Sequence, residues 1–189
     1  MIRGGDAAAV VAGEVDTPDR MVGDVNFFLY PYDEEEGEEA DGSGEGPTSR
    51  APRLCVGEVD VMIADAKDRG RGLGRATVSA FLQYILRNLA GILSEYRLDG
   101  RDEVPDAPAP DREVALKLLM AKIKADNSGS LALFKSLGFR QEGDVNYFGE
   151  VKLVLHDLNI MREMLPDGYS ELVYHRPEPN SDATQRLSS

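Results

Sequence analysis

The stretch Asp68–Ile85, DRGRGLGRATVSAFLQYI, places three glycines and three arginines within seven residues and then begins an apolar helical pattern. The strand-like segment Leu54–Ala64, LCVGEVDVMIA, precedes it. A strand that runs through a glycine-rich turn into a helix suits anion binding, because the first helical N–H groups lack intrahelical acceptors and lie at the positive end of the helix dipole. Glycines let a phosphate approach the backbone without meeting a Cβ. The stretch therefore predicts a pyrophosphate cradle, with Arg69, Arg71 and Arg75 adding positive charge at its rim.

Two nucleotide-binding motifs match this stretch poorly. A P-loop requires a Lys followed by Ser or Thr, and the stretch has no such pair. The dinucleotide motif GxGxxG requires a glycine where the sequence has Arg75 or Thr77. A nucleotide-binding domain of another fold is therefore kept only as a weak alternative.

The segment Leu54–Ile63 alternates between two faces, as a half-buried strand does. We expect the face with Cys55 to lie in the core, and the opposite face carries two acids. The core face comprises Cys55, Gly57, Val59, Val61 and Ile63, and the other comprises Leu54, Val56, Glu58, Asp60 and Met62. Cys55 is the one cysteine, has neither a disulfide partner nor metal-ligating neighbours, and is predicted to be a core residue.

The remaining patterns predict strands and helices in a mixed order. A helix follows the glycine-rich turn, since its apolar residues recur with a period of 3.6; they are Val78, Phe81, Leu82, Ile85 and Leu89. The other predicted strands are a hairpin of Ala7–Val15 with Met21–Tyr30, a buried strand in Ala115–Asn127 and two strands in Phe139–Leu158. The other predicted helices are a short helix in Ser130–Phe139, which ends at Gly138, and a helical turn in Leu158–Leu165. This order indicates an α/β or α+β domain with a mixed sheet.

The net charge of −13 is concentrated in the segment Pro31–Pro52, whose eight acids and one Arg contribute −7. This segment is rich in Gly, Ser and Pro and is predicted to be a disordered loop (residues 31–52). A second loop is predicted in the proline-rich Arg97–Glu113 (residues 97–113), and a disordered tail from His175 onwards. We expect one domain over residues 7–160 and a largely disordered extension over 161–189.

The sequence also limits which classes of partner are expected. The sequence has no basic stripe with interleaved aromatic residues, so nucleic acid is not an expected partner. No apolar run of membrane-spanning length was found, and the amino-terminal segment lacks the layout of a signal peptide, so no membrane partner is expected. These features predict a cytoplasmic location, with the nucleus left open, and no metal site.

Two separate motifs resemble those of one enzyme family. Arg69-x-x-Gly72-x-Gly74 resembles the acetyl-CoA-binding signature of the GNAT acetyltransferases, and the segment Asn127–Phe139, NSGSLALFKSLGF, resembles a second element of that family. The segments MVGDVNFFL, GEVDVMIA and VKLVL further resemble the N-acetyltransferase-9-like branch. The resemblance covers roughly residues 21–155.

The resemblance implies a GNAT-like fold, a mixed and mostly antiparallel sheet with flanking helices, and acetyl-CoA as co-substrate. It implies that the strand at Leu54–Ile63 splays from the strand at Ala115–Asn127, and that pantetheine lies in the gap along the backbone of Met62 and Ile63. The pyrophosphate would bind the loop, and further cofactor contacts would come from the second motif. The implied cofactor-binding residues are Met62, Ile63, Arg69, Arg71, Gly72, Leu73, Gly74, Arg75, Asn127, Ser130 and Phe134.

The resemblance also implies direct acetyl transfer to an amine, with a protein amine as the expected acceptor. A carboxylate on the strand before the cofactor loop often serves as the base in this family, and Glu58 has that position; Asp60, on the same face, is the second candidate. Many relatives have a Tyr general acid where this chain has Phe134, which has no proton to donate. Structural roles stay open beside these, since Glu58 would also suit an ion pair and Asn127 and Ser130 would also suit a helix cap.

The chain departs from the family at its start. A GNAT domain normally begins with a strand and two helices before its first hairpin, whereas here the hairpin is predicted near residue 7. We therefore expect an N-terminally truncated version of the fold. The alternative function is a catalytically silent acetyl-CoA-binding or protein-interaction module.

Overall fold

The computed structural model describes residues 10–14, 16–32, 52–99, 113–160 and 172–176. Its strands and α-helices are β1 (Val10–Val11), β2 (Gly23–Pro31), β3 (Arg53–Ile63), α1 (Leu73–Asp99), β4 (Val114–Lys124), α2 (Ser128–Ser136), β5 (Arg140–Glu142), β6 (Glu150–Leu155) and β7 (Tyr174–His175). Short 3₁₀ turns occupy Pro18–Arg20 and Ala66–Asp68. The predicted acidic loop and proline-rich loop fall almost entirely outside the described residues, as does the predicted turn after Leu158 beyond residue 160.

The chain divides into two compact units, residues 23–167 and residues 1–22 with 168–189. The larger unit contains a five-stranded sheet in the order β2-β3-β4-β6-β5. The β3–β4 pair is parallel and the other pairs are antiparallel. This arrangement confirms the predicted mixed, mostly antiparallel sheet. The domain boundaries predicted from the sequence stay a prediction.

Both helices contribute apolar side chains to a core on one face of the sheet. Val78, Leu82 and Ile85 of α1 are at most 1% exposed, and Phe81 and Leu89 of the predicted face are partly buried against them. The core also contains Phe134 of α2 and Leu137, which follows α2, together with Val59, Leu119 and Leu153 of the sheet. Each fully buried apolar side chain of this size contributes about 1.5–3 kcal/mol relative to exposure. Cys55 is fully buried, as predicted, and burial raises the pKa of its thiol to about 11.

Helix α1 extends beyond the predicted apolar pattern. It has 27 residues and continues through Arg97 to Asp99, so the start predicted for the proline-rich loop was wrong by three residues. Its part from Leu73 to Arg97 is also long and apolar enough to cross a membrane by length and composition alone, contrary to the prediction. Core helices of globular proteins pass the same test, and α1 buries Val78, Leu82 and Ile85 in the domain core.

The central strands β3 and β4 pair over only part of their length. Their register begins at Arg53 and Val114 and ends at Glu58 and Met120. Beyond that point β3 stays paired with β2 as far as Ile63, and β4 stays paired with β6 as far as Lys124. The two strands therefore separate in the middle of the sheet, as the sequence resemblance implied.

The predicted amino-terminal hairpin was wrong. Val10 and Val11 form a short parallel ladder with Tyr174 and His175, both in the smaller unit. The DTPD segment, predicted as a hairpin turn, leads into the 3₁₀ turn Pro18–Arg20. Because His175 belongs to a strand, the predicted start of the disordered tail was also wrong; residues 177–189 lie outside the described residues.

Candidate active site

A cavity of about 600 Å³ lies beside the point where β3 and β4 separate. Its walls come from the end of β3, the glycine–arginine loop, the start of α1, and α2. The lining residues include Val61, Met62 and Ile63 from β3, Asp68 to Gly70 with Gly72, Gly74 and Arg75 from the loop and α1, and Asn127, Gly129, Ser130, Ala132, Leu133 and Ser136 from the second motif. The two sequence motifs, more than fifty residues apart, thus meet around one cavity.

The glycines of the loop give the backbone a shape closed to most residues. Gly70 and Gly72 have φ of +70° and +84°, and no atom lies within 4 Å of a Cβ built at either position. Helix α1 begins directly after them, and the Ala76 N–H donates to the Gly72 carbonyl at 3.0 Å. The N–H groups of Leu73, Gly74 and Arg75 precede that first helical bond and have no intrahelical acceptor. The loop and the helix start therefore present open backbone donors.

The three arginines of the loop differ in role. Arg69 lines the cavity, but its side chain donates to the Ile63 carbonyl at 2.8 Å and the Ala64 carbonyl at 3.0 Å. Arg71 forms an ion pair of 3.0 Å with Asp68 and does not line the cavity. Arg75 lines the cavity and donates to the Ser136 hydroxyl. Rim charge was predicted for all three, whereas the structure uses Arg69 chiefly to anchor the loop to β3.

Helix α2 forms the opposite wall and begins with a side-chain cap. The Asn127 Oδ1 accepts a hydrogen bond of 3.1 Å from the Ser130 N–H, and both residues also line the cavity. Phe134 lies elsewhere: it is 2% exposed in the core, with its ring edge-to-face against Phe139 at 5.1 Å. Its predicted contact with the cofactor has no counterpart in the cavity lining, because this face of α2 packs on the sheet. Arg71 and Leu73 are also absent from the residues that line the cavity, although they neighbour Gly72, which does line it.

The candidate bases lie on the face of β3 away from the two helices. The Glu58 side chain is 11% exposed, and its Oε2 accepts a hydrogen bond of 2.9 Å from Nζ of Lys122 in β4. Asp60, two residues further along β3, has a pKa raised first by desolvation and then by the negative charge of Glu58. Glu58 is the last residue of β3 that pairs with β4. The predicted base thus lies at the strand separation, in the ion pair that was the alternative interpretation.

Sequence reasoning missed Lys122 on this outer face and Ser136 at the cavity. Lys122 pairs with Glu58 across 64 residues of sequence, and its Nζ lies 5.7 Å from the centre of the Tyr30 ring. Ser136 fixes Arg75 at the cavity. The alternating pattern of β4 gave the face on which Lys122 lies, but only the register with β3 shows which acid it meets.

The comparisons with known proteins agree with the two motifs. The family model described as the acetyltransferase (GNAT) domain matches residues 4–140. The chain is 27% identical to an N-acetyltransferase 9-like protein of Dictyostelium discoideum, over 82% of this chain and 55% of that protein. It is 30% identical to the human alpha/beta-tubulin-N-acetyltransferase 9, over 71% of this chain and 44% of that protein.

The chain therefore spans about half the length of the curated relatives it matches. Among solved structures it is similar to Arabidopsis thaliana NAA60 in complex with acetyl-CoA, with a TM-score of 0.41 and 15% identity over 73% of this chain and 67% of that one. The family match covers well over half of the sequence and includes the glycine–arginine loop and the whole of the second motif. This chain belongs to the GNAT acetyltransferase family.

Proposed function

We propose that this chain binds acetyl-CoA and transfers its acetyl group directly to an amine, on a protein. One observation carries the proposal: a cavity of about 600 Å³ is lined by the part of β3 that no longer pairs with β4 and by Gly74 and Arg75 in the first turn of α1. Helix starts of this kind bind phosphate groups. Acetyl-CoA carries a pyrophosphate and an acetyl thioester, so it supplies both the anion and the acyl group.

The residues present fit this co-substrate. The backbone N–H groups of Gly74 and Arg75 would hold the pyrophosphate, and the open space at Gly70 and Gly72, which have no side chains, would let it approach. The backbone of Met62 and Ile63 would hold the pantetheine arm, because β3 has left β4 before these residues. Asn127 and Ser130 would line the opposite wall.

Glu58 is the proposed base, and Asp60 is its alternative. An α-amine has a pKa of about 8 and a lysine of about 10.4, so an acceptor amine must lose a proton before it attacks. Glu58 lies at the strand separation with one carboxylate oxygen paired to Lys122; among the described residues, its Oε1 has no hydrogen-bond partner and would take the proton. Direct transfer requires no nucleophile on the protein.

The acceptor is proposed to be a protein amino terminus or a lysine. Support comes from the human relative, whose name describes a tubulin N-acetyltransferase. The proposed location is the cytoplasm, and this proposal rests on composition alone. A newly made or assembled protein acceptor is accessible there.

A calorimetric titration tests the binding part. We expect the chain to bind acetyl-CoA and to prefer it over ATP and NAD. Gly72→Glu should abolish binding, since it places a charged side chain in the cradle, whereas Gly91→Glu adds the same charge to an exposed site on α1 and should leave it intact. Equal affinity in the two variants would contradict the proposed cradle.

Turnover with peptide acceptors tests the chemical part. Glu58→Gln should lower kcat by about 10²–10⁴-fold, as expected for loss of a general base, without weakening acetyl-CoA binding. A loss confined to Asp60→Asn would move the role to Asp60. A chain that binds acetyl-CoA without turnover would support the second candidate, a silent acetyl-CoA-binding module, which is favoured by the absence of a hydroxyl on Phe134 that could donate a proton.

A further inference from the structure

Lys122 bridges the two strands just beyond their last backbone pair. The register of β3 and β4 ends at Glu58 and Met120, and Lys122 follows two residues later, on the same face as Met120. Its Nζ donates to the Glu58 Oε2 at 2.9 Å. Where the ladder of backbone hydrogen bonds stops, a side-chain ion pair therefore continues the connection.

The Lys122 side chain also reaches towards the neighbouring strand β2. Its Nζ lies 5.7 Å from the ring centre of Tyr30, and Tyr30 pairs in the sheet with Val56, two residues before Glu58. An ammonium above an aromatic face gains a further electrostatic attraction. Carboxylate and ring together fix the ammonium from two strands, and the ammonium in turn fixes one oxygen of Glu58.

The charges around the pair keep Lys122 a cation. The hydrogen bond with Glu58 is the main cause that raises the pKa of Lys122, against the opposing effect of desolvation, and Tyr30 and Glu150 raise it further. Asp60 on β3 also faces the pair, since Lys122 lowers and Glu58 raises the pKa of Asp60. Lys122 is therefore an ammonium at neutral pH.

We propose that Lys122 is a positioning residue for the acetyl transfer, which holds the Glu58 carboxylate at the strand separation so that its Oε1 meets the acceptor amine. This inference rests on the proposed function and extends it to a residue that no sequence motif contains. Lys122 acts through Glu58 and touches neither co-substrate nor acceptor. A carboxylate with 11% of its side chain exposed needs such a partner, because an unpaired charge there has a large desolvation cost.

The test compares Lys122→Met, Lys122→Arg and Lys124→Met in the full chain. Lys124 is the matched control: it lies on the same face of β4 and pairs with Glu150 at 3.3 Å. For each variant, kcat and KM are measured with a peptide acceptor, and the acetyl-CoA dissociation constant by calorimetry. Melting curves show whether each variant is folded.

We expect Lys122→Met to lower kcat by about 10²-fold, the scale of a misplaced reacting group, with acetyl-CoA affinity unchanged. Lys122→Arg keeps the cation and should restore most of kcat, and Lys124→Met should behave as the wild type. A purely structural brace would lower the melting temperature with kcat of the folded fraction unchanged, and that result would overturn the inference.

The outcomes separate this inference from the proposed function. A wild-type chain that binds acetyl-CoA but shows no turnover contradicts the proposed transfer and the positioning role together. An active wild type whose kcat survives Lys122→Met contradicts the positioning role alone. A loss of kcat that Lys122→Arg does not restore also counts against it, since the arginine supplies the same charge.

Discussion

The Arg69 side chain is tied to the end of β3 by a hydrogen bond of 2.8 Å from its Nε to the Ile63 carbonyl. A second bond of 3.0 Å joins its guanidinium to the Ala64 carbonyl. The residue that opens the family motif therefore positions the loop, and two of its five N–H donors are used for this purpose. In this respect Arg69 differs from Arg71, whose side chain pairs with Asp68 in the same loop.

Arg69→Ala should weaken acetyl-CoA binding indirectly, because the loop loses its two bonds to β3. We expect a decrease of about 1 kcal/mol in the free energy of unfolding, typical of lost hydrogen bonds at an exposed site. Calorimetry and urea denaturation measure the two effects. Arg71→Ala serves as the control and should change binding much less; if it weakens binding as strongly as Arg69→Ala, the rim-charge interpretation of the sequence is correct for Arg71.

Gly72→Ala isolates the cost of backbone conformation. No atom lies within 4 Å of a Cβ at this position, but φ is +84°, so an alanine should destabilise the protein by about 1–2 kcal/mol. Gly91→Ala is the matched control within α1, where a Cβ also meets open space and helix propensity favours alanine by about 1 kcal/mol. Chemical denaturation should therefore shift in opposite directions for the two variants. A shift in the same direction would contradict the left-handed conformation of Gly72.

Phe134→Ala should destabilise the domain by about 3–5 kcal/mol, since it removes a ring that is 2% exposed and packed against Phe139. Phe148→Ala is the control for an aromatic residue on the surface, at 69% exposure, and should stay within about 0.5 kcal/mol of the wild type. Urea denaturation measures both. If Phe134→Ala has a small effect on stability and abolishes acetyl-CoA binding, the predicted contact of Phe134 with the cofactor is correct.

Asp60 should make stability depend on pH in a defined direction. Its pKa is raised in the folded state, mainly by desolvation, so the folded protein binds this proton more tightly than the unfolded chain does. The free energy of unfolding therefore falls as pH rises from the ordinary value of 3.8 through the raised pKa, and the deficit persists at neutral pH.

Asp60→Asn should accordingly stabilise the protein at neutral pH by about 0.5 kcal/mol or less, the scale of an exposed substitution, and the gain should vanish below pH 3.8. Denaturation midpoints at several pH values measure the difference. Asp126→Asn, an exposed aspartate after β4, is the control. A stabilisation of the Asp60 variant that persists in acid would have another cause than ionisation.

The sequence predicted the elements whose patterns are long and regular. The 3.6-residue period of Val78, Leu82 and Ile85 identified the buried face of α1, and the alternation in β3 identified Cys55 and Val59 as core residues. The amino-terminal hairpin was wrong because Val10–Val11 is a strand of two residues, too short to show a period. Its partner, Tyr174–His175, lies at the far end of the described chain and gives no local signal.

The candidate site could likewise be predicted only in part. The glycine–arginine loop could be predicted because its residues are consecutive and their conformational demands are local. The pairing of Glu58 with Lys122 could not, since it depends on the register of two parallel strands. That register also shifts between Cys55 and Val56, so the offset of the first pairs, carried forward without the shift, would have placed Val61 and no acid opposite Lys122.

The separation of β3 from β4 has a consequence for handling the protein. A sheet ordinarily exposes unpaired backbone only along its outer strands, where natural proteins guard against unwanted strand addition. Here two further edges lie inside the sheet, beyond Glu58 and Met120. An extended chain that pairs with either edge would gain backbone hydrogen bonds. We therefore expect concentrated solutions to self-associate through this gap, and acetyl-CoA to act as a solubilising additive that light scattering can follow.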